Sequence, residues 1–203
     1  MPLLPRRFAL TTTLALLSAT AASAQDGPTP LPTVDQQIAA SVIALPKNMR
    51  AGATVMGYRT RDKLVVIRKG TNGMTCLALF AVQKDFHVAC YQNGMEPFMA
   101  RGRALRAQGV HGEQVDSIRF KEVKSGKIKM PKQAVMYQLF GDSTSWNPQT
   151  GAVQHAGALL VMYMPGATSE STGLTAVPSP DGPWIMFPGT PKAHMMLQGS
   201  MTP

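Results

Sequence analysis

Four residues near the C-terminus carry the side chains that acyl transfer uses: Ser169, Glu170, Ser171 and His194. A hydroxyl nucleophile, an imidazole base and an orienting carboxylate need not be close in sequence to form a triad. They are the only polar set between the C-terminal loops that could be assembled into a site, and they define one expectation, a small envelope hydrolase. Against it, the chain has no Gly-x-Ser-x-Gly turn. Gly141-Asp142-Ser143 is faintly similar to one lipase motif, but no Asp-x-x-His pair follows it. With only 11 acidic residues in the whole chain, no carboxylate pair stands out for glycoside hydrolysis.

Imidazole and thioether groups suit copper, and His194-Met195-Met196 is the densest cluster of them. The other histidines, His87, His111 and His155, stand alone, without His-x-His or Met-x-x-Met spacing. Methionine is more often a filler of apolar cores, and Met162, Met164 and Met186 fall within expected strands. No metal or other cofactor is expected. His87 falls on the hairpin face opposite the cysteines, where a hydrogen-bonded, half-buried histidine is the simpler reading.

Charge gives a broader signal. Between Lys47 and Lys132 there are 17 basic and 6 acidic residues. A basic region of this kind attracts lipopolysaccharide, anionic lipid or acidic polymers. Arg101, Arg103, Arg106, Lys127 and Lys129 are the candidate anion-binding residues. The same charges also serve simply as a solvated surface. No nucleic-acid reading motif or stacking platform is visible, and nucleic acid is not an expected partner.

Those groups have to be positioned by something, and the strongest organising element is Arg68 to Tyr91. It holds both cysteines of the chain, Cys76 and Cys90, each within an apolar run of strand-forming residues. A chain folding back about Gln83 opposes Phe80 with Phe86, Ala78 with Val88 and Cys76 with Cys90 on one face. Opposed residues lie within disulfide range.

Location supports the same bridge. Residues 1–24 read as an export signal, with Arg6-Arg7, an apolar stretch from Phe8 to Leu17 and Ala22-Ser23-Ala24 as a cleavage site. An exported chain with two cysteines is expected to pair them. No later stretch is long and apolar enough to span a membrane. The expected location is periplasmic or secreted.

Residues 25–32 form a Pro-rich flexible leader, and residues 33–203 a single domain. Thr33 caps a helix carrying Ile38, Val42 and Leu45, which Pro46 ends. Ala53–Arg59 and Leu64–Lys69 are strands, and with the cysteine hairpin they suggest a four-stranded antiparallel meander. Gly70-Thr71-Asn72-Gly73 is a tight turn; without a following Lys-Ser/Thr or helix start it does not read as a phosphate cradle. Glu96-Pro97 opens a helix with Phe98, Met99, Gly102 and Leu105 on its buried stripe. A second helix runs from Glu113 to about Ser125. Ala134–Phe140, Ala158–Met164, Trp184–Phe187 and Ala193–Leu197 complete the strands. The fold class is α+β: a mainly antiparallel sheet, two or three helices packed on one face, and one cross-strand disulfide.

Gly70-Thr71-Asn72-Gly73-Met74-Thr75-Cys76-Leu77, Cys90-Tyr91 and Pro188-Gly189-Thr190-Pro191-Lys192-Ala193-His194 together resemble a group of exported bacterial proteins without assigned activity. The resemblance spans most of the chain after residue 24. It implies export and a single domain, and it brings no catalytic or binding residues. The function expected from the sequence is therefore a non-catalytic exported protein that binds an anionic envelope component through its basic middle.

Overall fold

The computed structural model describes residues 30–199. The expected export signal and residues 25–29 of the leader lie outside the described residues. Leu31 already packs against the core, and the Pro32 carbonyl accepts a hydrogen bond of 2.8 Å from Gln37.

The first helix, α1 (Val34–Ser41), starts at a capping box in which Thr33 and Gln36 satisfy each other's backbone amides. A 3-10 turn and a short helix α2 (Lys47–Arg50) lead into the strands. These are β1 (Thr54–Thr60), β2 (Lys63–Arg68), β3 (Met74–Leu77) and β4 (Phe86–Gln92). Two helices of equal length follow, α3 (Glu96–Ala107), with Pro97 in its first turn, and α4 (Glu113–Lys124). The chain ends with β5 (Ala134–Gly141), β6 (Gly157–Tyr163), a single turn α5 (Ser169–Thr172), β7 (Trp184–Met186) and β8 (His194–Gly199).

All eight strands form one sheet in the order β2-β1-β3-β4-β5-β6-β8-β7. Every neighbouring pair is antiparallel except β1 and β3, which run parallel. The first four strands are therefore not a meander. The connection after β2 carries the chain past β1, so that β3 pairs on the far side of β1 from β2. Gly70 makes that crossing possible: a Cβ there would stand 2.2 Å from the Thr54 nitrogen, so no larger residue fits. The Thr71 and Asn72 amides of this turn both donate to the Gly52 carbonyl, which leaves the loop as a structural crossing.

β3 and β4 carry the expected register. Cys76 pairs with Cys90 in the ladder and the two form a disulfide. The ladder stops at Leu77 and Ala89, however, and Ala78 does not continue it opposite Val88. The chain instead turns into a 3-10 segment, Leu79–Ala81, because the connection lacks the glycine that a tight hairpin needs and Phe80 has a better place to go. Its ring lies 5.4 Å from Phe86 and 4.6 Å from Trp146.

Period-two alternation along β4 divides the core in two. Phe86, Val88 and Cys90 face a cluster covered by α1 and the residues after it. Ala89 and Tyr91 face a second cluster that includes Met95 and Phe98 at α3, with Phe120 and Val123 of α4 packed against it. The two central helices thus share one face, as the sequence indicates, and α1 closes the other. The described residues from Leu31 form one compact unit, and among the described residues no helix is long and apolar enough to cross a membrane.

Candidate anion-binding groove

α3 and α4 pack on the sheet face to which Ala89 and Tyr91 point, with a charged side chain buried between the two helices. The buried positions of α4 are Val115, Arg119 and Glu122, at helical spacing but mostly charged. Arg119 is only 4% exposed. Its guanidinium sits over the Phe98 ring, donates to the Phe98 carbonyl at 3.3 Å and pairs with Asp116. Gly102 of α3 makes room for it, since a Cβ there would come within 2.9 Å of Arg119 Nη1.

An open groove here has a volume of about 750 Å³, within the usual range for small-molecule sites. Leu77, Leu79, Phe98 and Met99 give it apolar walls. Six basic side chains line it, Arg61, Lys63, Arg103, Arg106, Arg119 and Lys192, against one carboxylate, Asp62. At the β1–β2 turn Lys63 is exposed, as is Arg106 on α3. Arg103 is held in place by Glu96 and by Tyr91, whose hydroxyl accepts from it at 3.0 Å. Burial, with the Glu96 hydrogen bond adding to it, keeps the Tyr91 hydroxyl protonated well beyond its ordinary range.

At the inner end three elements converge. Lys192, just before β8, donates to Asp116 at 2.8 Å, so this one carboxylate serves both Lys192 and Arg119. Burial alone would raise the Asp116 pKa, but hydrogen bonds from Lys192 and Arg119 outweigh it and hold the carboxyl below its usual range. Tyr163, at the end of β6, is 5% exposed and lines the groove. Burial pushes its hydroxyl up to about 12, and it makes no hydrogen bond among the described residues. Arg119 Nε is also buried without a partner. His87 lines the opposite end, half-buried and hydrogen-bonded to Gln138 at 3.0 Å.

The structure divides the sequence-derived anion-binding set. Arg103 and Arg106 line the groove. Arg101 and Lys127 do not; both are paired with Glu122, at 2.8 and 3.0 Å. Lys129 is exposed elsewhere. Arg61, Lys63, Arg119, Lys192, Tyr163 and His87 join the site without a sequence motif to announce them. The one available signal is Gly102, since glycine inside a helix is costly and marks a close approach.

Of the hydrolase candidates, His194 is buried, with Nδ1 donating to the Lys192 carbonyl at 2.7 Å. Its ring packs against Tyr163 and Phe187. Ser171 is occupied in a capping box with Thr168 at the start of α5, and Glu170 is exposed. Trp184 lies buried in β7, paired with Met196. Among the described residues no hydrogen bond connects His194 to Ser169, Ser171 or Glu170. The disulfide fits an oxidising location. No protein-family model matches the chain, and neither a curated protein nor a solved structure matches it.

Proposed function

We propose that this chain is an exported, non-catalytic binding protein that takes an anionic cell-envelope component in the groove beneath α3. The observation that carries the reading is the charge of that groove, six cations converging around an apolar floor against Asp62 in the lining and Glu96 and Asp116 behind it. Surface cations scattered for solubility would have no reason to converge on one concavity. The export signal over residues 1–24 and the disulfide support a periplasmic or secreted location.

Cosedimentation with anionic vesicles and with lipopolysaccharide at low and high salt tests this reading. Binding is expected at low salt, weakened at high salt as exposed charges are screened, and reduced in the Lys63→Ala/Arg106→Ala double variant. Absence of binding at low salt rejects it. An esterase and amidase screen comparing the native chain with His194→Ala separates it from a hydrolase.

A further inference from the structure

Resting on the reading of the groove as an anion site, we infer that its occupant is a single-chain lipid with a carboxylate or phosphate head. The head lies at Tyr163 and Arg119, and the chain runs along the groove floor toward the β1–β2 turn.

Unused hydrogen-bonding capacity fixes where the head goes. Tyr163 and Arg119 are each at least nine-tenths buried and both line the groove; Arg119 Nε is buried without a partner, and the Tyr163 hydroxyl makes no hydrogen bond among the described residues and stays open to the groove. Buried donors are normally paired, and leaving them unmade is costly. Charge points the same way. Arg119 and Lys192 share the single carboxylate of Asp116, so the inner end carries one uncompensated positive charge. An anion with oxygen acceptors satisfies both donors and that charge.

The walls define the remainder of the ligand. Phe98, Met99, Leu77, Leu79 and Leu64 line the path away from the inner end, and a compact anion would leave them bare. Sheet register gives the length of that path. His87 pairs with Phe140 and Phe140 with Gly157, so Tyr163 lies six residues further along the strand direction than His87. At ~3.3 Å per residue the two ends of the groove are roughly 20 Å apart, which suits one extended acyl chain.

The test is titration calorimetry on the full-length chain, purified with its disulfide intact, using lipids below their aggregation threshold. Palmitate, 1-palmitoyl lysophosphatidate, laurate and palmitate methyl ester are compared. One equivalent of palmitate, lysophosphatidate or both should bind, and whichever binds more tightly identifies the head. Laurate, four methylenes shorter, should bind roughly 200-fold more weakly than palmitate, from about fourfold per methylene. The methyl ester should lose at least tenfold. Tyr163→Phe, which keeps the ring packed on His194, should weaken acid binding about tenfold with an unchanged melting temperature.

Equal binding of acid and ester, or no dependence on chain length, overturns the inference. Binding of anionic vesicles without either single-chain acid overturns it and leaves the broader function standing. Loss of both overturns both, whereas lipid binding without vesicle or lipopolysaccharide binding overturns only the envelope reading.

Discussion

The guanidinium carbon of Arg119 lies 3.8 Å from the centre of the Phe98 ring, so a charge on α4 is packed against an aromatic on α3. A cation so nearly dry is costly unless paired. Here the pairing is shared, because Asp116 also holds Lys192. One carboxylate therefore ties α4 both to α3, through Arg119, and to the segment entering β8.

Replacing that carboxylate should be expensive. Asp116→Asn leaves Arg119 buried without its counter-ion, and a loss of about 3 kcal/mol is expected in urea denaturation at neutral pH. Since the folded-state pKa of Asp116 is depressed, its stabilisation is fully present above the ordinary carboxylate range. It disappears as pH falls through the folded pKa. The variant should therefore lose part of the acid sensitivity below pH ~4. An unchanged acid limb would refute the assignment.

His194 gives a second pH dependence. Burial lowers its pKa, the Lys192 carbonyl opposing and the Lys192 charge adding to the effect. The unfolded chain thus binds a proton more readily, and stability should fall as pH drops below ~6.5. Melting temperatures measured from pH 8 to 5 should decline, and His194→Phe should flatten that decline while keeping an aromatic ring beside Tyr163.

At Gly102, helix propensity and packing oppose each other. Alanine would be favoured by about 1 kcal/mol on propensity alone. Its Cβ would instead meet Arg119 Nη1 at 2.9 Å, and Arg119 is clamped. Gly102→Ala is therefore expected to destabilise the fold by about 1 kcal/mol net. A stabilised variant in denaturant titration would show that Arg119 can move aside.

Substituting Cys76 or Cys90 by alanine should cost about 2–5 kcal/mol. Peptide mapping without reductant should recover the two cysteine peptides joined. Free, alkylatable thiols in the folded protein would contradict the bridge.

The cysteine register was legible because period-two alternation aligns several pairs at once, and the Phe80–Phe86 contact survives even where the ladder does not. The helices were legible from their caps, Thr33 and Glu96-Pro97. The parallel β1–β3 pairing was not, because local patterns reveal strands but not which side of a neighbour the chain selects. The groove was hidden for a different reason. Arg119 looks like any other surface arginine in a helix, and the buried stripe of α4 reads Val115-Arg119-Glu122, which no hydrophobic period detects. Arg101 and Lys127 look equally available in sequence, but Glu122 occupies both.

The β1–β3 junction has a mechanical consequence. It comprises three residue pairs, Thr54–Thr75, Val55–Cys76 and Met56–Leu77. Beyond it Tyr58 has no strand on that side, and the buried Gln37 amide takes over, accepting from the Tyr58 N–H at 2.7 Å and donating to its carbonyl at 2.8 Å. The β1–β2 hairpin thus joins the sheet through a short seam that the Gln37 side chain extends. Tyr58, Arg61, Lys63 and Leu64, which form the outer wall of the groove, all ride on it. Amide exchange should find this hairpin opening as a unit ahead of the disulfide-linked strands, and Gln37→Leu should speed that opening. The wall of the groove is then a flap that Gln37 helps to latch.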